Sequence, residues 1–247
     1  MASAPSNDVD EVRTPHNPRG LKDIPFALPQ VEQAEKRRAK RLLAALDEHY
    51  PDAHCELDHS SPHELLIATI CSAQCTDAAV NRATPALFER FPTPRDYADA
   101  APADIEPYIK SLGFFRNKSK AIHASMTDVV ELHGAEVPRT MDELLALHGV
   151  ARKTANVVLG NAFDVNVGVV VDTHVQRLSV RLGLVELGTT VQMIERRLMA
   201  LFPRERWTDL SHLLIFHGRR ACTARRKHCA DHPICKKFGE ACECPRD

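Results

Sequence analysis

Three sets of side chains in this sequence could do chemistry. Lys153 follows directly on His148-Gly149-Val150-Ala151-Arg152, a glycine-bearing interruption between two apolar stretches of helical period, so it falls in the first turn of a new helix. A lysine amine becomes a nucleophile only after losing its proton, and an ordinary lysine is almost entirely ammonium at pH 7. Asp172 stands after Val169-Val170-Val171 and before Thr173-His174-Val175. There it can cap the following helix through one oxygen and keep the other free. The third set is Cys222, Cys229, Cys235, Cys242 and Cys244, five of the eight cysteines, crowded near the C-terminal end. Four thiolates at such separations could hold zinc or an iron–sulfur cubane, and spacing alone does not decide between them.

These groups need a scaffold, and the apolar periodicity is helical. From Val31 to His49, Leu42, Leu43 and Leu46 share one side, opposite Lys36, Arg37, Arg38, Lys40 and Arg41. Start signals then recur: Ser61-Pro62 with Glu64, Thr140 with Glu143 and Thr189 with Gln192 each read as a capping box before an apolar run. The only β-branched run is Val169 to Val171, too short to found a sheet. The expected fold class is all-α. Residues 1–30 carry Pro5, Pro15, Pro18, Pro25 and Pro29 without an apolar period and read as a disordered tail. Between Leu144 and Phe163 the pattern is helix, tight turn, helix. A turn of this kind presents unpaired backbone N–H groups and the positive end of a dipole, which suits a phosphate.

At 247 residues and 44% hydrophobic composition, the chain can bury one substantial core or two modest ones. No stretch has the length of apolar residues that a membrane span needs, and no secretory signal is visible, so no membrane partner and a cytoplasmic location are expected. In that setting the cysteines favour metal over disulfides. The net charge of −1 gives no whole-protein argument for a nucleic-acid partner. Any such argument is local and rests on the basic run above and on Arg219, Arg220, Arg225, Arg226 and Lys227.

The hairpin carries a resemblance. Leu147-His148-Gly149-Val150-Ala151-Arg152-Lys153-Thr154-Ala155, followed by Val171-Asp172-Thr173-His174, resembles the helix-hairpin-helix DNA glycosylases, and specifically the endonuclease III family. Ser60-Ser61-Pro62, Glu64 to Ala68, Ser72-Ala73-Gln74, Thr76-Asp77, Gly113, Asn117 to Lys120 and His217-Gly218-Arg219 extend the likeness from about Val31 onward. The resemblance implies two helical domains with a DNA cleft between them: a six-helix domain over residues 57–165, and an iron–sulfur cluster domain over residues 31–56 and 166–247. It implies a base-excision repair enzyme, a monomer acting on double-stranded DNA with damaged bases, oxidised pyrimidines above all, or abasic sites. Lys153 would attack the anomeric carbon and Asp172 would stabilise the positive sugar; the resulting Schiff base permits β-elimination, so strand cleavage accompanies base removal.

The other roles follow from the same likeness. His148, Gly149, Ala151 and Arg152 would grip phosphate, Gln74 would fill the gap left by the extruded nucleotide, and Phe114 would be an intercalating wedge. For any phenylalanine, burial in a core is the competing assignment. Asp77 and His174 would line the pocket or support Lys153. Cys222, Cys229, Cys235 and Cys242 would hold a 4Fe-4S cluster, with Cys244 the alternative to Cys242 and zinc the alternative metal. Here the sequence departs from the family, because His232 stands where its third cysteine would be, implying a short insertion before Cys235. Within the hairpin, His148 replaces a proline and Ala151 a glycine; a left-handed backbone at Ala151 would cost about 1 to 2 kcal/mol. Two rivals remain at this point: an adenine glycosylase, which lacks the lysine, and a DNA-binding module that keeps the hairpin without catalysis.

Overall fold

The computed structural model describes residues 24–225, 229 and 231–241. Cys242, Cys244 and residues 1–23 of the expected tail lie outside them. The described residues form helices without any strand. In chain order these are α1 (Gln33–His49), α2 (Pro62–Cys71), α3 (Asp77–Arg90), α4 (Pro94–Asp99), α5 (Pro102–Ile109), α6 (Phe115–His133), α7 (Met141–Ala146), α8 (Arg152–Phe163), α9 (Thr173–Arg181), α10 (Val191–Leu201), α11 (Trp207–Arg220) and α12 (Pro233–Phe238).

Two hydrophobic cores organise them. One draws on residues 24 to 50 and 169 to 238. The other is built from residues 57 to 167 around α2, whose residues Leu65 to Cys71 are all buried, as befits a helix apolar on every side. That second core holds seven helices, α2 to α8, where six were expected. The extra one arises because Thr93 and Ala101 each cap a short helix with proline at its first position, splitting the stretch into α4 and α5.

Local signals mostly act where the residues put them. The Ser61 hydroxyl accepts from Glu64 N–H at 3.3 Å, while the Glu64 carboxylate reaches Ser60, one residue further back than a reciprocal box would. Thr140 caps α7. At α10 the cap is Thr190, not Thr189, whose hydroxyl donates instead to the Glu186 carbonyl at 2.7 Å. Residues 24–30, expected to belong to the tail, instead pack onto the fold. Ile24 and Leu28 are buried in the first core, and the Arg152 and Arg196 guanidinium groups sit over the Phe26 ring at 4.9 and 4.3 Å. The valine run lies outside any helix and is buried, with Val170 N–H donating to Ser211 Oγ at 3.0 Å.

The two cores are joined along α8 and α11. A Cβ at Gly160 would collide with the Thr208 hydroxyl, so only glycine allows this approach. One residue on, Asn161 Oδ1 accepts from His212 Nε2 at 2.7 Å. Burial pushes the His212 imidazole down to about 4, so it serves as a neutral donor.

Candidate active site and metal centre

The hairpin turn solves its geometry at Gly149, whose φ of 75° is left-handed. Ala151 is extended at φ −94°, so the strain anticipated there is absent. His148 compensates for the missing proline ring differently: its backbone N–H and Nδ1 both reach Asp128 Oδ2 of α6 at 2.7 Å, pinning the turn from outside. Ala151 is the N-cap of α8 without a side-chain cap, which leaves the first-turn N–H groups for a ligand. Lys153 is the second residue of that turn and exposed.

Arg152 is the exception among the residues assigned to phosphate. Its Nε lies 3.0 Å from both oxygens of Glu195 on α10, and its Nη2 donates to the Val167 carbonyl at 3.3 Å. The guanidinium thereby helps to join the two cores.

Asp172 caps α9, accepting from His174 and Val175 N–H through Oδ1, both at 2.8 Å. Two short bonds to one oxygen fix the carboxylate. Opposite the hairpin stands Asp77, first residue of α3. Burial raises its carboxyl above the ordinary range, the Asp172 charge raises it further, and Lys153 and His174 pull the other way. Lys153, Asp172, Asp77 and His174 therefore share one electrostatic neighbourhood, although they come from three helices. Arg219, at the end of α11, closes it by donating to Asp77 Oδ2 at 2.7 Å and pairing with Glu56. Nothing in the sequence marked this pairing of Arg219 across the two cores.

Gln74 and Phe114 are both exposed and both left-handed, at φ 57° and 59°. Non-glycine residues held so carry about 1 to 2 kcal/mol of strain, a cost usually retained where a side chain must point outward. Phe114 is 62% exposed, so the core assignment fails. The two loops are tied together: Lys118, only 5% exposed, donates from Nζ to Cys75 Sγ at 3.1 Å, next to Gln74. Cys71 is buried in the second core.

Beyond α11, Cys222, Cys229 and Cys235 are buried and hydrogen-bonded among themselves. The Cys222 thiol is held well below its usual range by the hydrogen bond from Cys235 and by Arg181 Nη1 at 3.2 Å; Cys235 is pushed up as holder of the shared proton. A cation replacing that proton would be met by two thiolates, which is the donor chemistry a soft metal centre needs. His217 Nε2 approaches Cys235 Sγ at 3.3 Å, and the donor atoms of His217, Cys222 and Cys235 lie within 4.8 Å of one another. The chain thus builds a buried, cysteine-rich metal site. Its fourth expected ligand, Cys242, lies outside the described residues. Arg177 links the centre to the catalytic side, donating to the Gly218 and Cys222 carbonyls at 3.0 Å and meeting His174 Nδ1 at 3.2 Å.

An all-helical chain with this hairpin, this lysine and this aspartate matches a known class. The profile of the HhH-GPD superfamily of base excision DNA repair proteins matches residues 67–204. The endonuclease III of Synechocystis sp. is 50% identical over 198 residues, covering 80% of this chain and 90% of that protein; the Bacillus subtilis enzyme is 45% identical, covering 78% and 87%. A solved structure of a trapped endonuclease III–DNA covalent intermediate superposes with a TM-score of 0.77 at 44% identity, covering 81% of this chain and 93% of that one. Within the superfamily, the chain belongs to the endonuclease III family.

Because Phe114 is exposed, Phe114→Ala should leave the melting temperature within about a degree or two. If the ring stacks in the duplex, lesion-DNA binding should weaken by about 1 to 3 kcal/mol, with cleavage of single-stranded substrate changing far less. Unaltered duplex binding and excision would remove Phe114 from the interface.

Proposed function

We propose that Lys153 is the nucleophile and Asp172 the supporting carboxylate of base excision in this chain. As a member of the endonuclease III family it is a DNA N-glycosylase and abasic-site lyase of base-excision repair, and oxidised pyrimidines are the substrate class this reading assigns it. The observation that carries the residue assignment is the shared neighbourhood of Lys153, Asp172 and Asp77, with Asp172 fixed through one oxygen while the other accepts no hydrogen bond among the described residues.

In this reading Lys153 first releases its ammonium proton to solvent, and the Nζ lone pair then forms a bond to C1′ of the extruded nucleotide. The base departs with the electrons of the glycosidic bond, and Asp172 offsets the positive charge developing on the sugar. The nitrogen then loses a proton and its lone pair opens the C1′–O4′ bond, O4′ taking up a proton, to give a Schiff base that acidifies C2′; loss of a C2′ proton expels the 3′ phosphate. The first-turn N–H groups of α8 and the Gly149 turn hold the backbone beside it, while Gln74 and Phe114 occupy the vacated stack. The two hydrophobic cores are the two domains of this reading, with DNA bound between them. A covalent intermediate is also what one solved relative traps.

Borohydride reduction tests it. Wild-type protein mixed with abasic duplex should form a stable crosslink that maps to the peptide bearing Lys153. Absence of any crosslink would overturn the lyase assignment, and mapping to another lysine would overturn the residue.

The metal centre is read here as a 4Fe-4S cluster held by Cys222, Cys229, Cys235 and Cys242. Bound there, it would brace the segment after α11 against Arg177 and Arg181, and through them α9 and Asp172. Purified protein should be brown, absorb broadly near 400 nm and contain about four irons per chain. A colourless protein with one tightly bound zinc would refute the cluster and leave the excision chemistry standing.

A further inference from the structure

The hydrogen bonds behind Cys235 have a direction that can be worked out. Ile234 N–H donates to His232 Nδ1 at 3.3 Å, so that nitrogen has no proton and the neutral ring carries its single proton on Nε2. Nε2–H can only donate, and it meets the Tyr50 hydroxyl at 3.4 Å. The Tyr50 oxygen therefore accepts on that side and sends its own proton to the other, to His217 Nδ1 at 2.8 Å. With Nδ1 an acceptor, His217 carries its proton on Nε2, which faces Cys235 Sγ at 3.3 Å. Every member donates toward the sulfur, and one backbone amide sets every tautomer.

We propose that this relay makes His217 the donor that sets the electron affinity of the cysteine-held cluster, acting through the Cys235 thiolate. The inference rests on the iron–sulfur reading above. A ligand sulfur becomes more negative when its cluster gains an electron, so a hydrogen bond to it stabilises the reduced state and raises the reduction potential. Donors aligned in series polarise one another, so Tyr50 and His232 strengthen the bond His217 makes. Direct ligation by His217 is a poorer use of this geometry, because its Nδ1 is taken by Tyr50 and its Nε2 bears the proton.

Voltammetry of the purified, cluster-bearing protein tests this without recourse to enzyme activity. His217→Phe keeps a ring and removes the N–H; at a fixed applied potential its ratio of reduced to oxidised cluster should fall about tenfold, the scale of one hydrogen bond to a charged acceptor. His217→Gln can still donate from its amide and should stay within about twofold of wild type. Tyr50→Phe should move the ratio in the same direction by about two- to threefold, and should add nothing in the His217→Phe background. A brown His217→Phe protein with the wild-type potential overturns the proposal. Should that variant fail to hold iron, as iron per chain would reveal, Tyr50→Phe decides: an unmoved potential overturns it, a lowered one supports it. A colourless wild-type protein would end the cluster reading and this inference together, whereas a brown one with unmoved potentials ends this inference alone.

Discussion

Lys153→Gln should abolish the borohydride crosslink to abasic DNA and lower strand cleavage at least about a thousandfold, equivalent to roughly 4 kcal/mol of transition-state stabilisation. Glutamine keeps most of the side chain's length but has no lone pair able to attack C1′. The position is exposed in the first turn of α8, so melting temperature should hardly change. Duplex binding should persist, because the turn at Gly149 and the free N–H groups of α8 do not depend on the amine. Asp172→Asn complements it. Asparagine caps a helix about as well as aspartate, so the fold of α9 should survive while the charge opposing the developing sugar cation is lost. Excision should then fall with binding retained. The control lysine is Lys118, buried beside the Gln74 loop. A full-yield crosslink in Lys153→Gln protein that mapped to Lys118 would transfer the nucleophile's role there.

What the sequence made legible and what it hid divide along physical lines. Helical period, proline at first turns and side-chain caps are local, and they located α2, α7 and α8. The capping role of Asp172 was readable for the same reason, since its bonds span three residues. Long-range pairings have no local signature. Arg38 sits in the basic run on which a local argument for nucleic acid rested, yet its guanidinium donates to the Leu182 and Phe238 carbonyls and pairs with Glu240. Arg219 and Arg220, read as a basic patch for DNA, are in ion pairs with Glu56, Asp77 and Asp52. Arg152, assigned to phosphate by resemblance, has its ion-pair partner Glu195 43 residues away. The left-handed turns at Gln74 and Phe114 were equally hidden, since neither residue type asks for a positive φ. His217 lies within the His-Gly-Arg triplet of the family likeness; its place behind Cys235 emerges only when the end of α1 brings Tyr50 against it.

The Arg152–Glu195 pair should dominate the stability of the junction between the cores. Glu195 is 7% exposed, receives Arg152 Nε on both oxygens, and accepts from Asn156 Nδ2 at 2.9 Å. Glu195→Ala would leave Arg152 Nε and a buried amide without their acceptor, in a site where Asn156 Oδ1 already has no hydrogen-bond partner among the described residues. Breaking such a pair from one side costs about 3 to 5 kcal/mol. For a chain of this size that corresponds to a fall in melting temperature of roughly 6 to 20 °C. Replacing both partners with apolar residues of similar volume, Arg152→Met with Glu195→Leu, should recover much of that loss, because no charge is then stranded. Excision should not recover with it. The pair fixes the first residue of α8 to α10, one position before Lys153, and a looser first turn should lower kcat while leaving DNA affinity nearly unchanged. Calorimetry and single-turnover excision on the two variants would separate these effects. A double variant matching wild type in both stability and kcat would reduce the pair to a dispensable strut.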